Sequence, residues 1–582
     1  MSVEYEVPPS TIPECIYKCA EMNATAAVFD AEKAIYTYAN IIKEMETLAA
    51  GLLSTGLRSQ DRVLICGSNT AHFFISTLAC ARADLIFSLL NPNLANAEQL
   101  KYALIKGEFR AIICFPANRE VEFLNNLLSE ISPELLRSVK GRLYSKAIPK
   151  LTHVIMAEED HRHAGTFTLS EVYGRSNREK IDKLPDFTQW SPHKIAALQF
   201  TSGISAPAKL VALTHYQLIN SCRAVSQATG CNNNSDAPLV SLELIYLRSR
   251  KCSVSKILVK DRPILDGSKS CICCALPLFK IPIFAFVGLL PFISHTRVIY
   301  PSPSPIPKFL FDSVKKYQCT HLVSNAVALG LILRIAQTQN IRLPSIESVI
   351  LLGERVPVDV IDNISKQFEN VNKVMNGYML TEVASVPIMS TGLLNMKGIG
   401  KPLTDFEVDV RNLCIPMKCS HENAKIGELW VKVIKGSKFL GYNPPYEASE
   451  EWIETGDVVT VDNVGSLELL ANKEDLILNS SGELIEHWSI EKVLCSHNEI
   501  KGAQIVALDK KLPLYAFIVP KSPKSVEKVD QILTDLISLC KNNKLIVPEK
   551  FAVVDDFPRI NTKIQKYRMR QMLEKGEISM KP

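Results

Sequence analysis

An alternation of amphipathic helices and apolar strands early in the chain constrains the fold more than any other feature. Apolar residues recur at helical spacing from Tyr38 to Leu57, and the pattern ends at Gly56, which predicts an amphipathic helix. Short runs that are apolar at nearly every position follow, and they predict strands buried on both faces. Because such strands alternate with helices, the pattern predicts a parallel sheet and an α/β fold. The expected elements are strands at 62–67, 85–90 and 111–115 and helices at 71–81 and 97–105.

The chain is too long for a single hydrophobic core. Its 582 residues predict roughly two to four domains. Hydrophobic residues make up 47% and charged residues 22%, which indicates a folded globular protein. The formal net charge of +5 is spread over the whole length, without a basic stripe interleaved with aromatic residues, so nucleic acid is not an expected partner.

The pattern changes twice further along the chain. A second α/β layer is expected from residue 276 onward, and short alternating strands beyond Gly398 predict a small β subdomain. A separate α+β pattern begins at about Ala471. We therefore expect an N-terminal domain over residues 1–470 and a small C-terminal domain over residues 471–582. A polar, basic stretch at about 232–270 is expected to be a solvated surface insertion.

Cysteine usage and the apolar segments bear on the compartment. The 16 cysteines lack regular spacing and many fall in apolar runs, so reduced core thiols are expected. Cys271 and Cys274 have the gap of a metal-binding pair, but no second pair with zinc spacing follows. The N-terminus has no evident secretory or mitochondrial signal, and the apolar segment 281–293 is too short to span a bilayer. A cytoplasmic location without a transmembrane segment is the default expectation.

Residues 198–215 have the pattern of a strand, a hydroxyl-rich loop and a second strand. Such a loop can bind phosphate, because hydroxyls donate hydrogen bonds to phosphate oxygens, glycine allows close approach, and lysine supplies a mobile positive charge. Taken alone, the stretch also fits an ordinary surface turn between two strands. The candidate phosphate ligands are Thr201, Ser202, Gly203, Ser205 and Lys209.

Three later motifs add further candidate site residues. Residues 377–382 predict a strand that ends in a turn, residues 452–457 end in Thr-Gly-Asp, and residues 557–566 place a lysine after a proline-containing loop. Each motif alone also has an ordinary explanation as a strand end, a common turn or a solvated charge. Their order along the chain is more informative than any one of them. The side chains that they present are Tyr378, Thr381, Glu382, Asp457 and Lys563.

Together these motifs resemble those of the adenylate-forming superfamily of acyl-CoA synthetases, luciferases and peptide-synthetase adenylation domains. The stretches Gln199-Phe-Thr-Ser-Gly and Lys563-Ile-Gln-Lys-Tyr-Arg are most similar to the medium-chain acyl-CoA synthetase branch. The resemblance covers roughly residues 30 to 575. It implies a large N-terminal domain of doubly covered sheets with a small β subdomain, and a small mobile α+β C-terminal domain. It also implies ATP, Mg²⁺ and coenzyme A as cofactors, and makes a mitochondrial location an alternative.

The resemblance implies a role for each candidate residue. The loop residues would meet the β- and γ-phosphates of ATP, and a carboxylate would hold Mg²⁺, which prefers carboxylate and phosphate oxygens. A late lysine would stabilise negative charge while the acyl-adenylate forms. The implied assignments are nucleotide binding for Gly353, adenine contact for Tyr378, α-phosphate contact for Thr381, Mg²⁺ binding for Glu382, ribose contact for Asp457, and catalysis for Lys563 with Thr381 and Glu382.

Several positions depart from the superfamily pattern. The loop carries Ile204, Ala206, Ala208 and Leu210 in place of Thr, Gly, Pro and Gly. A β-carbon at a position that needs positive φ costs about 1 kcal/mol or more and crowds the phosphate. The hinge motif Gly-Arg-x-Lys-Asp is Ala-Asn-Lys-Glu-Asp at residues 471–475, which removes an arginine and reverses the charge at the pivot.

Two functions therefore compete. The first is an acid–thiol ligase that converts a carboxylic acid, ATP and coenzyme A into a thioester through an acyl-adenylate. The apolar stretch 276–287 favours a fatty or aromatic acid as its substrate. The second is a catalytically impaired member that binds nucleotide or acyl-CoA as a regulatory protein. The retained charged residues favour the ligase, whereas Ala206, Leu210 and Asn472 favour the binding protein.

Overall fold

The computed structural model describes residues 10–581 with several gaps. The predicted insertion at about 232–270 and most of the phosphate-loop candidate lie outside the described residues. The gaps are residues 95, 116–122, 158–162, 202–207, 232–269, 305, 354–362, 365, 393–397, 414–424, 447, 523–528 and 561–562.

The chain divides into two compact units. The first unit comprises Met1–Phe200, Leu210–Glu407 and Lys432–Glu451. The second unit comprises Thr201–Lys209, Val408–Val431 and Trp452–Pro582. The predicted domain boundary near residue 471 stays a prediction.

Strands and helices alternate along most of the first unit. In chain order the strands are β1 (Thr25–Phe29), β2 (Ala34–Thr37), β3 (Arg62–Cys66), β4 (Ile86–Leu90), β5 (Ala111–Cys114), β6 (His153–Met156), β7 (Thr166–Thr168), β8 (Ile195–Phe200), β9 (Leu210–Thr214), β10 (Cys271–Cys274), β11 (Arg297–Tyr300), β12 (His321–Ser324), β13 (Ser348–Leu352), β14 (Lys373–Leu380), β15 (Ser385–Thr391) and β16 (Lys401–Pro402). The α-helices are Ile12–Lys18, Tyr38–Ser54, Ala71–Arg82, Ala97–Gly107, Phe123–Ile131, Leu169–Gly174, Arg178–Asp182, His215–Thr229, Ile281–Ile283, Leu290–Ser294, Pro307–Tyr317 and Ala326–Gln339, with a π-helical turn at Phe284–Gly288.

These strands form two sheets. A seven-stranded sheet has the order β7-β6-β5-β3-β4-β8-β9, and its neighbours are parallel except for the antiparallel pair of β8 and β9. A nine-stranded sheet has the order β16-β15-β14-β13-β12-β10-β11-β1-β2, with a parallel centre and antiparallel strands at both edges. The central strands β5, β6, β10, β12 and β13 are buried at every residue, as parallel strands between two helical layers should be.

The second unit is built from smaller sheets. Its strands are β17 (Val408–Arg411), β18 (Lys425–Lys432), β19 (Trp452–Val461), β20 (Leu467–Asn472), β21 (Ile500–Ala507), β22 (Leu514–Pro520), β23 (Lys550–Val553), β24 (Arg559–Ile560) and β25 (Lys563–Ile564). Strands β17 to β20 form one four-stranded sheet, β21 to β23 a second sheet, and β24 with β25 a hairpin. The helices are His487–Cys495, Val529–Asn542 and Lys566–Glu574. The small β sheet predicted beyond Gly398 is therefore confirmed.

The predicted α/β alternation is also confirmed, and its helices begin where the sequence offers a cap. Thr37, Thr70 and Asn96 each accept a backbone N–H from the first turn of the helix that follows. The sequence patterns did not identify the helix Ile12–Lys18 or the strands β1 and β2, which join the nine-stranded sheet next to β11.

Two further expectations concern the thiols and the membrane. All the described cysteines are free thiols, and all of them except Cys495 are buried. The expectation of buried thiols is therefore wrong for Cys495, which lies on the exposed side of the helix His487–Cys495. In the part of the chain that the structure describes, no helix has both the length and the apolarity needed to cross a bilayer.

Two helical glycines of the first unit should respond oppositely to alanine. A β-carbon at Gly51 would lie 2.1 Å from the Val172 carbonyl oxygen, whereas nothing lies within 4 Å at Gly330. We expect Gly51→Ala to destabilise the unit by about 1–3 kcal/mol through overpacking. We expect Gly330→Ala to stabilise it by about 0.5–1 kcal/mol, because alanine is the better helix former. Urea midpoints of the two variants would contradict this if they shifted in the same direction.

Candidate active site

The strands that flank the phosphate-loop candidate pair directly, which confirms the two predicted strands. Phe200 at the end of β8 lies opposite Leu210 at the start of β9. Thr201 donates its backbone N–H to the Lys209 carbonyl at 2.9 Å, and the Thr201 hydroxyl accepts the Lys209 N–H at 3.0 Å. The ends of the loop are thereby joined, and Thr201 keeps a hydroxyl hydrogen to donate. The other predicted loop ligands, Ser202, Gly203 and Ser205, lie outside the described residues.

The second motif lies at the carboxyl edge of the parallel strands in the nine-stranded sheet. Leu352 of β13 pairs with Gly377 of β14, so Gly353 and Tyr378 follow at neighbouring positions. A β-carbon at Gly377 would lie 2.5 Å from Leu352 Cδ2 and 2.4 Å from a Val386 methyl group, so this pairing requires glycine. Gly353 has a φ of +99°, which glycine adopts without strain. Ligands of open α/β sheets bind at this edge.

Thr381 and Glu382 stand just beyond the end of β14. They lie in a one-turn 3₁₀ helix, Thr381–Val383, and both are half-buried. The structure thus brings a hydroxyl and a carboxylate to the sheet edge that also carries Gly353 and Tyr378. Among the described residues no three His, Cys, Asp or Glu side chains gather into a metal site. Mg²⁺ at nucleotide sites is usually held by one or two carboxylates together with phosphate oxygens and water, and a single carboxylate such as Glu382 fits that chemistry.

A residue that the sequence motifs did not identify contacts this turn. Tyr442 donates its hydroxyl hydrogen to Glu382 Oε1 at 3.0 Å, across 60 positions of sequence. The backbone of Tyr442 also forms an antiparallel bridge with Val211 of β9. No local pattern links these three residues, so only the fold reveals their contact.

Asp457 of the second unit lies inside a strand and not in a turn. It belongs to β19 and pairs with Asn472 of β20. Asn472 Nδ2 donates to Asp457 Oδ1 at 3.2 Å, and the Asp457 backbone N–H donates to Thr455 Oγ1 at 3.1 Å. At the position where the superfamily pattern has an arginine, this chain therefore has Asn472, an uncharged donor that binds Asp457, the candidate ribose-binding residue.

An ion-pair cluster follows directly after Asn472. Lys473 Nζ lies 2.9 Å from Glu428 Oε2 and 2.8 Å from Glu454 Oε1. Burial raises the pKa of Glu428, whose side chain is 8% exposed. The hydrogen bond from Lys473 lowers the pKa of the more exposed Glu454, and the charge of Lys209 adds a smaller effect in the same direction. The loop lysine therefore lies within electrostatic range of this cluster.

The next two residues of the hinge motif also have ionic partners. Glu474 pairs with Lys510 at 3.2 Å, and Asp475 pairs with Arg570 at 2.8 Å. Asp475 and Arg570 are largely buried, whereas Glu474 is exposed. Each charged residue from 473 to 475 is thus matched by an opposite charge, and the reversed charge at Glu474 is compensated by Lys510.

Lys563 lies in the hairpin near the end of the second unit, and the structure describes its backbone. It pairs with Ile560 across β24 and β25. The backbone N–H of Gln565 donates to the Pro558 carbonyl at 2.9 Å, which holds the hairpin closed. The first unit carries Gly353, Tyr378, Thr381 and Glu382, and the second unit carries Thr201, Lys209, Asp457 and Lys563.

These sheets and motifs define an adenylate-forming enzyme fold. The AMP-binding enzyme family matches residues 18–442, more than half of the chain, and the chain belongs to this family. The chain is 25% identical to a bovine protein named mitochondrial medium-chain acyl-CoA ligase, over 97% of this chain and 88% of the relative. The human protein of the same name is also 25% identical, with the same coverage.

Solved structures show the same fold. An O-succinylbenzoate coenzyme A synthetase from Bacillus subtilis with bound AMP superposes with a TM-score of 0.68 at 20% identity, over 96% of this chain and 98% of the other. An anthranilate CoA ligase in complex with anthranoyl-AMP superposes with a TM-score of 0.69 at 16% identity, over 98% and 99% of the two chains.

The Lys473 cluster gives a prediction with a matched control. Lys473→Met would leave the buried Glu428 carboxylate without its cation, so we expect a loss of about 1–2 kcal/mol in unfolding free energy near neutral pH. The loss should shrink as the pH falls, because Glu428 in the variant would bind its proton more tightly in the folded than in the unfolded chain.

Lys432→Met provides the control, since Lys432 also bridges two glutamates, Glu407 and Glu451, that are 67% and 58% exposed. Solvent screens such pairs, so only a small and nearly pH-independent change is expected. Urea unfolding at several pH values measures both variants. Equal effects at all pH values would refute the importance of Glu428 burial.

Proposed function

We propose that this protein is an ATP-dependent acyl-CoA synthetase that activates a medium-chain fatty acid or a similar apolar carboxylic acid. The acid would attack the α-phosphate of ATP to give an acyl-adenylate and pyrophosphate, and coenzyme A would then displace AMP to give the thioester. The observation that carries the proposal is the Thr381–Glu382 turn beside Gly353 and Tyr378 at the carboxyl edge of the sheet. Membership of the AMP-binding enzyme family and relatives named medium-chain acyl-CoA ligases support it.

The proposed roles follow from the chemistry of each group. Glu382 would bind Mg²⁺, and the bound ion would neutralise charge on the phosphates. Thr381 would donate to the α-phosphate, and Tyr378 would cover the adenine. Asp457 would accept hydrogen bonds from the ribose hydroxyls, and Lys563 would stabilise charge on the α-phosphate and the substrate carboxylate during adenylation. The proposed phosphate ligands are Thr201, Ser202, Gly203, Ser205 and Lys209, with Gly353 in the nucleotide site.

Three further parts of the proposal concern the substrate, the domains and the compartment. The stretch 276–287 is almost wholly buried and apolar, which favours an apolar acid. We propose that residues 471–582 form the C-terminal domain that moves between the two half-reactions. For the compartment, we propose the cytoplasm by default. The mitochondrion is the alternative, because the relatives are named as mitochondrial proteins. Fractionation of cells that express the protein distinguishes the two.

A second candidate function rests on Asn472. This residue occupies one oxygen of Asp457 where the superfamily pattern has a cation, so a protein that binds nucleotide or acyl-CoA without turnover is the competing proposal. Release of pyrophosphate by the purified protein, with ATP, Mg²⁺ and straight-chain acids of increasing length, distinguishes the two. Nucleotide binding without pyrophosphate release for any acid would favour the binding protein.

Replacement of Lys563 tests its proposed catalytic role. We expect Lys563→Ala to slow pyrophosphate release by about 100- to 1,000-fold, because one charge that stabilises the transition state is removed. Lys575→Ala, at the exposed end of the same C-terminal segment, should leave the rate unchanged. An unchanged adenylation rate in Lys563→Ala would remove the residue from the proposed site even if the protein is a ligase.

A further inference from the structure

Residues 439–450 of the first unit, of which the structure describes all but 447, form a short hairpin that contacts strand β9 and the Thr381–Glu382 turn. Phe439 and Glu450 exchange both backbone hydrogen bonds, at 2.6 and 3.1 Å, and so join its two ends. Between them stand Tyr442 and Asn443, which no sequence motif singled out. We refer to this segment as the 439–450 hairpin.

Tyr442 is held in place by contacts with three different elements. Its backbone bridges Val211 of β9, its ring packs edge-on against the Phe439 ring with centroids 5.0 Å apart, and its hydroxyl donates to Glu382 Oε1 at 3.0 Å. A half-buried carboxylate at the end of a strand can rotate about its side-chain bonds. A hydroxyl fixed in this way favours one orientation of the Glu382 carboxylate.

Asn443 binds the residue at which the phosphate-loop candidate returns to the sheet. Its backbone N–H donates to the Leu210 carbonyl at 2.7 Å, and its side-chain Oδ1 accepts the Leu210 N–H at 3.2 Å. Asn443 adopts a φ of +61°, a left-handed conformation that asparagine tolerates better than most residues. One residue thus satisfies both backbone groups of Leu210, which directly follows Lys209 in the sequence.

We propose that Tyr442 and Asn443 are positioning residues for the nucleotide reaction, and this inference rests on the proposed function. Tyr442 orients the Glu382 carboxylate toward Mg²⁺, and Asn443 fixes the strand end from which Lys209 extends. Glu382 fits the metal because Mg²⁺ prefers carboxylate oxygens, and hydrogen bonds that orient such carboxylates affect metal affinity about 10- to 100-fold. A single hairpin therefore supports both the metal ligand and the exit of the phosphate loop.

The test measures ATP binding by calorimetry at increasing Mg²⁺ concentrations, without any carboxylic acid, so that no turnover occurs. Tyr442→Phe keeps the ring and removes the hydroxyl that donates to Glu382. We expect the Mg²⁺ concentration for half-maximal ATP binding to rise about tenfold, with affinity at saturating Mg²⁺ changed by no more than about twofold. Urea midpoints check that the variant is folded.

The control is Tyr446→Phe in the same hairpin. Within the described residues the buried Tyr446 hydroxyl has no hydrogen-bond partner, so its loss should leave the Mg²⁺ dependence unchanged. Asn443→Gly keeps the left-handed backbone and removes the amide, and it should lower ATP affinity about three- to tenfold while the Mg²⁺ midpoint stays at the wild-type value.

The outcomes separate this inference from the proposed function. The role of Tyr442 is overturned if Tyr442→Phe binds ATP with the same Mg²⁺ dependence as the wild-type protein. It is also overturned if ATP binding by the wild-type protein does not depend on Mg²⁺. Wild-type ATP affinity in Asn443→Gly overturns the role of Asn443. Absence of pyrophosphate release while ATP binding still depends on Mg²⁺ overturns only the proposed catalysis.

Discussion

The parallel pairing of β13 with β14 is the interaction on which the candidate site depends. It sets Leu352 opposite Gly377, where any side chain would collide with Leu352 and Val386. A slip of one residue would turn every side chain of β14 to the opposite face of the sheet, because side chains alternate along a strand. The register therefore determines that Gly353 and Tyr378 lie at neighbouring positions, with Thr381 and Glu382 in the turn just beyond them.

Charge compensation is the corresponding principle in the second unit. Relative to the superfamily pattern the hinge segment loses an arginine and gains a glutamate, but Asn472 binds Asp457 and Lys510 pairs with Glu474. Lys473 likewise supplies the positive charge that the buried Glu428 requires. These contacts explain how the segment keeps its structure although its charges differ from those of the superfamily pattern. The changes affect side chains at the end of β20, and the four-stranded sheet β17 to β20 is retained.

Local periodicity and caps such as Thr37 and Thr70 mark elements of the seven-stranded sheet in the sequence. Sequence patterns predicted its strands β3, β4 and β5 but not β6 and β7. They did not identify β1 and β2, which are short strands that pair with each other and with the distant β11. The residues of the candidate site likewise include some that local patterns identify and some that they do not. Residues in contiguous motifs could be named in advance, whereas Tyr442 could not, because its contact with Glu382 spans 60 positions.

By itself, the sequence determined the α/β class, the order of the motifs and the chemical groups at Lys209, Glu382 and Asp457. These are properties of local pattern and of residue type, which need no knowledge of what lies nearby in space. The tertiary structure alone decided which groups bind the candidate site residues: Tyr442 donates a hydrogen bond to Glu382, and Asn472 donates one to Asp457. Hydrogen bonds of this kind depend on strand order and register, and those arise only when the whole chain packs.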